Sequence, residues 1–135
     1  MNQIIIVGNL GKDQETRFTP NGVAQTQLSV ATNRWFKAKP DDKEFTSATT
    51  WHRVVAWRVP EERLERLKKG SCVMIVGRQE NRSYEDKDGQ KRWVSEIIAD
   101  RVNWLRDPRP GGPRDEDAPP ERDLPPDIDP ANVPF

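Results

Sequence analysis

The sequence predicts an all-β barrel domain followed by a segment with no core of its own. Three observations carry this reading: apolar and alternating stretches broken by turn residues, the crowding of proline toward one end, and the separation of charge along the chain. The 135 residues suffice for one ordinary domain. Only 33% are hydrophobic and 12 are proline, but nine of those prolines fall between Pro108 and Pro134. The chain divides after Arg106. Residues 1–106 hold 19 Lys and Arg against 14 Asp and Glu, a net of +5, whereas residues 107–135 hold 3 against 8, a net of −5. A formal charge of zero thus hides a basic domain joined to an acidic tail, an asymmetry that points toward nucleic acid and an interaction segment.

The elements follow in order. Gln3 to Leu10 is an apolar run ended by Gly11, as expected of a buried strand. Thr19-Pro20-Asn21-Gly22 supplies a turn. From Ala24 to Arg34 the chain alternates, Thr26, Leu28 and Val30 on one face and Gln25, Gln27 and Ser29 on the other. A charged loop from Phe36 to Lys43 leads to a strand over Thr49 to Arg58. Here Trp51, Arg53, Val55 and Trp57 share one face, and His52, Val54 and Ala56 the other.

Pro60 to Lys69 reads as a helix, with Pro60 to open it, Glu61 and Glu62 at its positive end, and Lys68 and Lys69 before Gly70. Cys72 to Val76 is again apolar, Gly77 suits a bulge, and Arg78 to Tyr84 continues the strand. Asp88-Gly89 signals a hairpin, and Arg92 to Leu105 returns from it. Five strands with one short helix after the third describe a Greek-key barrel of the OB type. Beyond Asp107 too little apolar surface is present to offset the entropy of ordering, so a disordered acidic, Pro-rich tail is expected.

Several chemistries are excluded by composition. Cys72 is the single cysteine and His52 the single histidine, so neither an internal disulfide nor a Cys/His metal cluster can form. No nucleophile–base pair or phosphate-cradling glycine loop is present, which argues against an enzyme and against any cofactor. Glu61, Glu62 and Glu65 read as a solvated helix face, and the acidic residues around Asp86 and Asp88 show no metal-ligand pattern. The N-terminal run is too short and lacks the basic lead of a signal peptide, and nothing approaches a transmembrane helix. A soluble, cytoplasmic protein is expected.

What the domain does hold is aromatic surface interleaved with positive charge. All five tryptophans lie before residue 107. Trp35 stands between Arg34 and the pair Phe36-Lys37, Trp51 and Trp57 flank Arg53 on one strand face, Tyr84 follows Arg82, and Trp93 follows Arg92. Flat aromatic faces accept any base and a basic groove tracks the phosphates, which is the equipment of sequence-independent single-strand binding. The candidate stacking residues are therefore Trp35, Trp51, Trp57, Tyr84 and Trp93, and the candidate phosphate ligands Arg34, Lys37, Arg53, Arg82 and Arg92. Trp104 is read as structural. An RNA-binding barrel is the alternative, since discrimination would rest on the 2′-hydroxyl.

These segments resemble the bacterial single-stranded DNA-binding proteins. The resemblance rests on Gly8-Asn9-Leu10 with Asp13, Glu15 and Arg17, on Val30-Ala31-Thr32-Asn33-Arg34, on Trp51-His52-Arg53-Val54-Val55, on Leu67-Lys68-Lys69-Gly70-Ser71, on Gly77-Arg78, and on Tyr84-Glu85-Asp86 before Asp88-Gly89. It covers the barrel in the right order. It implies an OB barrel, a homotetramer around which DNA wraps, and stacking at Trp35, Trp51, Trp57 and Tyr84. It also implies an acidic tip ending in Pro-Phe that docks replication, recombination and repair enzymes; the matching residues are Asp127, Asp129, Val133, Pro134 and Phe135. In this sequence Pro130, Ala131 and Asn132 separate the aspartates from the apolar end, so weaker docking is expected, and the short linker lacks the Gly/Gln-rich stretch to which dense cooperative packing on DNA is attributed, so that behaviour is not carried over. His52, with no catalytic partner in sequence, is expected near a subunit contact.

Overall fold

A computed structural model describes residues 1–109. The tip residues Asp127, Asp129, Val133, Pro134 and Phe135, and the expected disorder of the tail, lie outside the described residues.

Six strands and one short helix follow in the order β1 (Ile4–Leu10), β2 (Glu15–Phe18), β3 (Ala24–Phe36), β4 (Thr46–Trp57), α1 (Glu61–Leu64), β5 (Cys72–Glu85) and β6 (Lys91–Arg106). Five of the strands close on themselves: β1 pairs with β5, β5 with β6, β6 with β4, β4 with β3, and β3 returns to β1. Every ladder is antiparallel except β4–β6, which is parallel and only three pairs long, Val54↔Ile97, Val55↔Ile98 and Ala56↔Ala99. This is the expected barrel. Its core is filled by Ile6, Leu10, Leu28, Val30, Val54, Ala56, Leu67, Val73, Ile75, Ile97 and Val102, with Ile4, Val59, Leu64 and Ala99 packed against them. The alternation read for β3 and β4 holds, since Leu28, Val30, Val54 and Ala56 all point inward.

Three local features differ from the sequence expectation. The first is β2, a four-residue strand that pairs with the start of β3 across the Thr19–Gly22 turn. Gly22 takes φ +79° there, and the Thr19 hydroxyl accepts from the Val23 amide.

The second is the helix, which is one turn long rather than reaching Lys69. After Leu64 the backbone bonds shift to i−3 partners, Arg66 to Arg63 and Leu67 to Leu64. Tertiary partners then take over: the Leu67 carbonyl accepts from Gln14, the Gly70 amide donates to Leu10, and the Lys69 amide donates to the Asp13 carboxylate. Leu67 itself is buried in the core. Continuing the α-helix would forfeit these bonds and withdraw that plug.

The third is the irregularity at Gly77. The register shift falls between Val76 and Gly77 as expected, but Val76 faces Arg101 and Gly77 faces Ala99, so the extra residue is Asp100 on β6. Gly77 is there for space. A Cβ on it would lie 2.1 Å from the Ile98 carbonyl oxygen, a backbone atom that cannot swing aside. Gly77→Ala should therefore destabilise the fold by about 1–3 kcal/mol through overpacking, and an urea titration would register it. Gly89→Ala, at φ +75° but with open space around it, should cost only the left-handed backbone term of about 1–2 kcal/mol and leave the barrel register intact.

Candidate nucleic-acid interface

The β3 and β4 strands are longer than the barrel needs. Their pairing runs on through Asn33↔Thr49, Trp35↔Ser47 and Phe36↔Thr46 as a two-stranded arm. β5 and β6 do the same from Gln79↔Ile97 to Glu85↔Lys91. Side chains alternate across a strand, and the registers therefore fix which residues share the outer face of the two arms. On β4 these are Trp57, Val55, Arg53 and Trp51; on β3 they are Gln25, Gln27, Ser29, Ala31 and, further out, Trp35. On β6 they are Ile98, Glu96, Val94 and Arg92, opposite Arg78, Glu80, Arg82 and Tyr84 of β5.

The middle of this face is buried although it lies outside the barrel. Val55 and Ile98, paired across the parallel ladder, are 0% and 4% exposed. Beside them Glu96 is 2% exposed. Its Oε2 accepts from Arg53 Nε at 3.2 Å and its Oε1 from Arg82 Nε at 2.9 Å. Arg53 also donates to Gln27 Oε1 at 3.3 Å. Burial pulls the Arg53 guanidinium below its ordinary pKa, Glu96 acts against that shift, and Arg82 adds to it. Around this charged centre stand Trp51 and Trp57, both half-buried, with the Trp57 Nε1 enclosed and unpartnered among the described residues. Six residues of strand separate the two rings, about 20 Å at 3.3–3.4 Å per residue.

The remaining sequence candidates divide between the two sides of the arms. Trp35 is 65% exposed and lies on the face of Trp51. Arg34 and Phe36 project from the opposite side of that arm, the guanidinium 4.8 Å from the Phe36 ring. Lys37 sits 5.3 Å from the ring of Phe45, an exposed aromatic in the β3–β4 connection that sequence reading passed over. Tyr84 and Arg92 share the outer face of the β5–β6 arm with Arg82. Arg92 Nε donates to Asp86 Oδ2 at 2.9 Å, and this bond, with the Gln90 and Asp88 amides, holds the Asp86 carboxyl below its usual range. Trp93 is paired with Ser83, on the reverse of that arm, and is capped by Lys91 at 4.9 Å. The candidates are thus two surfaces joined at the arm edges. Trp104 lies apart, under Arg66 at 5.1 Å.

Glu96 gave no signal in the sequence. An isolated acidic residue in a strand has no local partner, and its two arginines are 43 and 14 residues away. Among the described residues no group of three or more His, Cys, Asp or Glu could hold a metal ion, and no helix is long and apolar enough to cross a membrane.

Residues 1–105 match the Single-strand binding protein family. The chain belongs to that family. It is 40% identical over 113 residues to a single-stranded DNA-binding protein of Bacillus cereus, covering 83% of this chain and 64% of the relative. A Listeria innocua single-stranded DNA-binding protein is 39% identical over 112 residues, or 82% and 68% of the two chains. The chain thus spans just under two thirds of the length of the Bacillus relative. Among solved structures, a Plasmodium falciparum SSB in complex with ssDNA superposes with TM-score 0.69 at 25% identity, covering 78% of this chain and 96% of that one.

His52 extends the inward-facing row of β4 past the barrel mouth and bonds the Thr32 hydroxyl at 2.8 Å. It does not share a face with Cys72 and Met74, which lie on the outward row of β5. Burial lowers its pKa from the ordinary 6.5, so the folded state disfavours the imidazolium. Stability should be fully present above pH 6.5 and decline as pH falls from there through the lower folded-state value. A melting series from pH 8 to pH 5 should show this decline, and His52→Gln, which removes the single histidine, should flatten it.

Proposed function

We propose that this chain binds single-stranded DNA without base preference along the outer face of its two arms, and so shields the strand. The observation that carries this is the joining of Trp51, Trp57, Trp35 and Tyr84 with Arg53, Arg82 and Arg92 on one sheet face over an apolar floor of Val55 and Ile98. Stacking serves any base, and the guanidiniums suit phosphates. The names of the relatives support the reading, as does the strand bound to the Plasmodium SSB. Arg34, Lys37 and Trp93 would serve a strand that turns over the arm edges.

Self-assembly into a homotetramer is part of the same reading. β1 pairs with β3 only at Asn9 and Leu10, which leaves the backbone of residues 4–7 without a strand partner on that side among the described residues. Ile5 and Val7 on this edge strand are 60% and 53% exposed, facing outward beside Met74 and Val76. An edge of this kind is a template for pairing with another chain. Val30 pairs with both Leu10 and His52, so His52 stands next to the point where β1 leaves β3, in keeping with a subunit contact. The acidic tip, Asp127, Asp129, Val133, Pro134 and Phe135, would dock basic, apolar-floored pockets of replication, recombination and repair enzymes.

Fluorescence titration with oligo-dT tests the core of this. Trp51→Ala and Trp57→Ala should each lose about 1–3 kcal/mol of affinity, roughly 5–150-fold. Affinity of the parent should fall with salt at about −0.7 log units per log unit for each phosphate neutralised. Unaltered binding by the tryptophan variants would refute the site, and equal competition by oligo-U RNA would favour an RNA ligand. Light scattering at micromolar concentration should give four times the chain mass. Removal of residues 127–135 should abolish enzyme pull-down while leaving oligo-dT affinity equal or slightly tighter at low salt.

A further inference from the structure

Among the described residues Glu96 is the single charged side chain that is buried, and it is buried at the centre of a face that must attract an anion. A carboxylate there repels the ligand. Its position explains what it offers in return. The β4–β6 ladder begins at Val54↔Ile97; one residue earlier on each strand stand Arg53 and Glu96, bonded through their side chains at 3.2 Å. On its other side Glu96 holds Arg82 of β5 at 2.9 Å. One carboxylate therefore bridges the arm built by β3 and β4 to the arm built by β5 and β6, where main-chain pairing between them has ended.

We propose that Glu96 is the positioning residue of the strand-binding face: it aligns Arg53 and Arg82 side by side and sets the angle between the two arms. This rests on the reading that the strand lies on that face. Two long guanidinium side chains lose conformational freedom when they engage a phosphate or base edge, and a partner that orders them beforehand removes that loss from the binding step. The clamp trades one unit of positive charge for order. Charge matters most at low salt, and order matters at every salt concentration.

That trade gives the test a signature. Glu96→Gln adds one net positive charge to the face and removes the carboxylate that both arginines share. Oligo-dT affinity should be equal or higher than the parent's at low salt. Its log–log salt slope should steepen by about 0.7 for each further phosphate engaged. Near ~1 M salt, where the screening length falls to about 3 Å, affinity should drop roughly tenfold below the parent, the worth of about one charge-assisted hydrogen bond. The two curves should cross. Glu96→Asp keeps the charge, so neither half-buried arginine is left uncompensated, but it is one methylene too short to hold both. It should show the high-salt loss with an unchanged slope.

Melting curves for each variant normalise affinity to folded protein. An ion pair that serves only the fold would lower the melting midpoint and leave the parent's binding curve unaltered per folded molecule. Parallel curves for Glu96→Gln and parent, or parent-like binding by Glu96→Asp at all salts, would overturn the clamp. Trp51→Ala in the same titration separates the two readings. Its normal loss with no crossing defeats the clamp alone, whereas its failure to weaken binding defeats the face and the clamp together.

Discussion

Three residue pairs join the barrel strands that run on into the two arms. Everything outside the barrel depends on that short parallel ladder, Val54↔Ile97 through Ala56↔Ala99. Parallel pairs are slightly weaker per residue than antiparallel ones, and three of them join strands that are otherwise members of separate antiparallel ribbons. The side chains reinforce the seam from both sides. Inward, Val54, Ala56 and Ile97 enter the common core. Outward, Val55 and Ile98 bury each other, and Glu96 extends the junction by one more step through Arg53. Because the ladder stops there, the two ribbons run on beyond it as separately paired arms.

An outer face with a buried centre is an unusual demand on a small domain. Arginine would not normally sit among tryptophans on a strand, since an unpaired guanidinium resists desolvation. The Glu96 carboxylate resolves the conflict by satisfying two guanidiniums at once. Trp35, 65% exposed, is a large apolar surface in water, and on the proposed reading a base would cover it.

The opposite flank obeys a different logic. Ile5 and Val7 project outward from β1 and are exposed among the described residues. On the proposed reading this flank would meet a second chain, while the interleaved charge of the arms would meet an anion. The two surfaces differ in charge as well as position, so on that reading one would assemble while the other stays open.

Much of this was legible in the sequence. Strict alternation from Trp51 to Trp57 assigned each side chain of β4 to its face, because period two is a property of the strand itself. Asn21-Gly22 and Asp88-Gly89 marked their turns for an equally local reason, and Gly22 and Gly89 both take positive φ. The motif order identified the barrel. The rest was decided between strands. Local periodicity says which residues share a face, not which strand lies alongside, so Glu96 could not be joined to Arg53 and Arg82. Trp93 looked equivalent to Tyr84 until the β5–β6 register put it on the reverse of the arm. The helix seemed ten residues long because its propensities are local, whereas the bonds that end it come from Leu10, Asp13 and Gln14. The Gly77 irregularity was anticipated, but only pairing could show that the surplus residue is Asp100 on the neighbouring strand. In each case the deciding partner lies far away in sequence, and nothing local encodes which distant residue the closed sheet brings to hand.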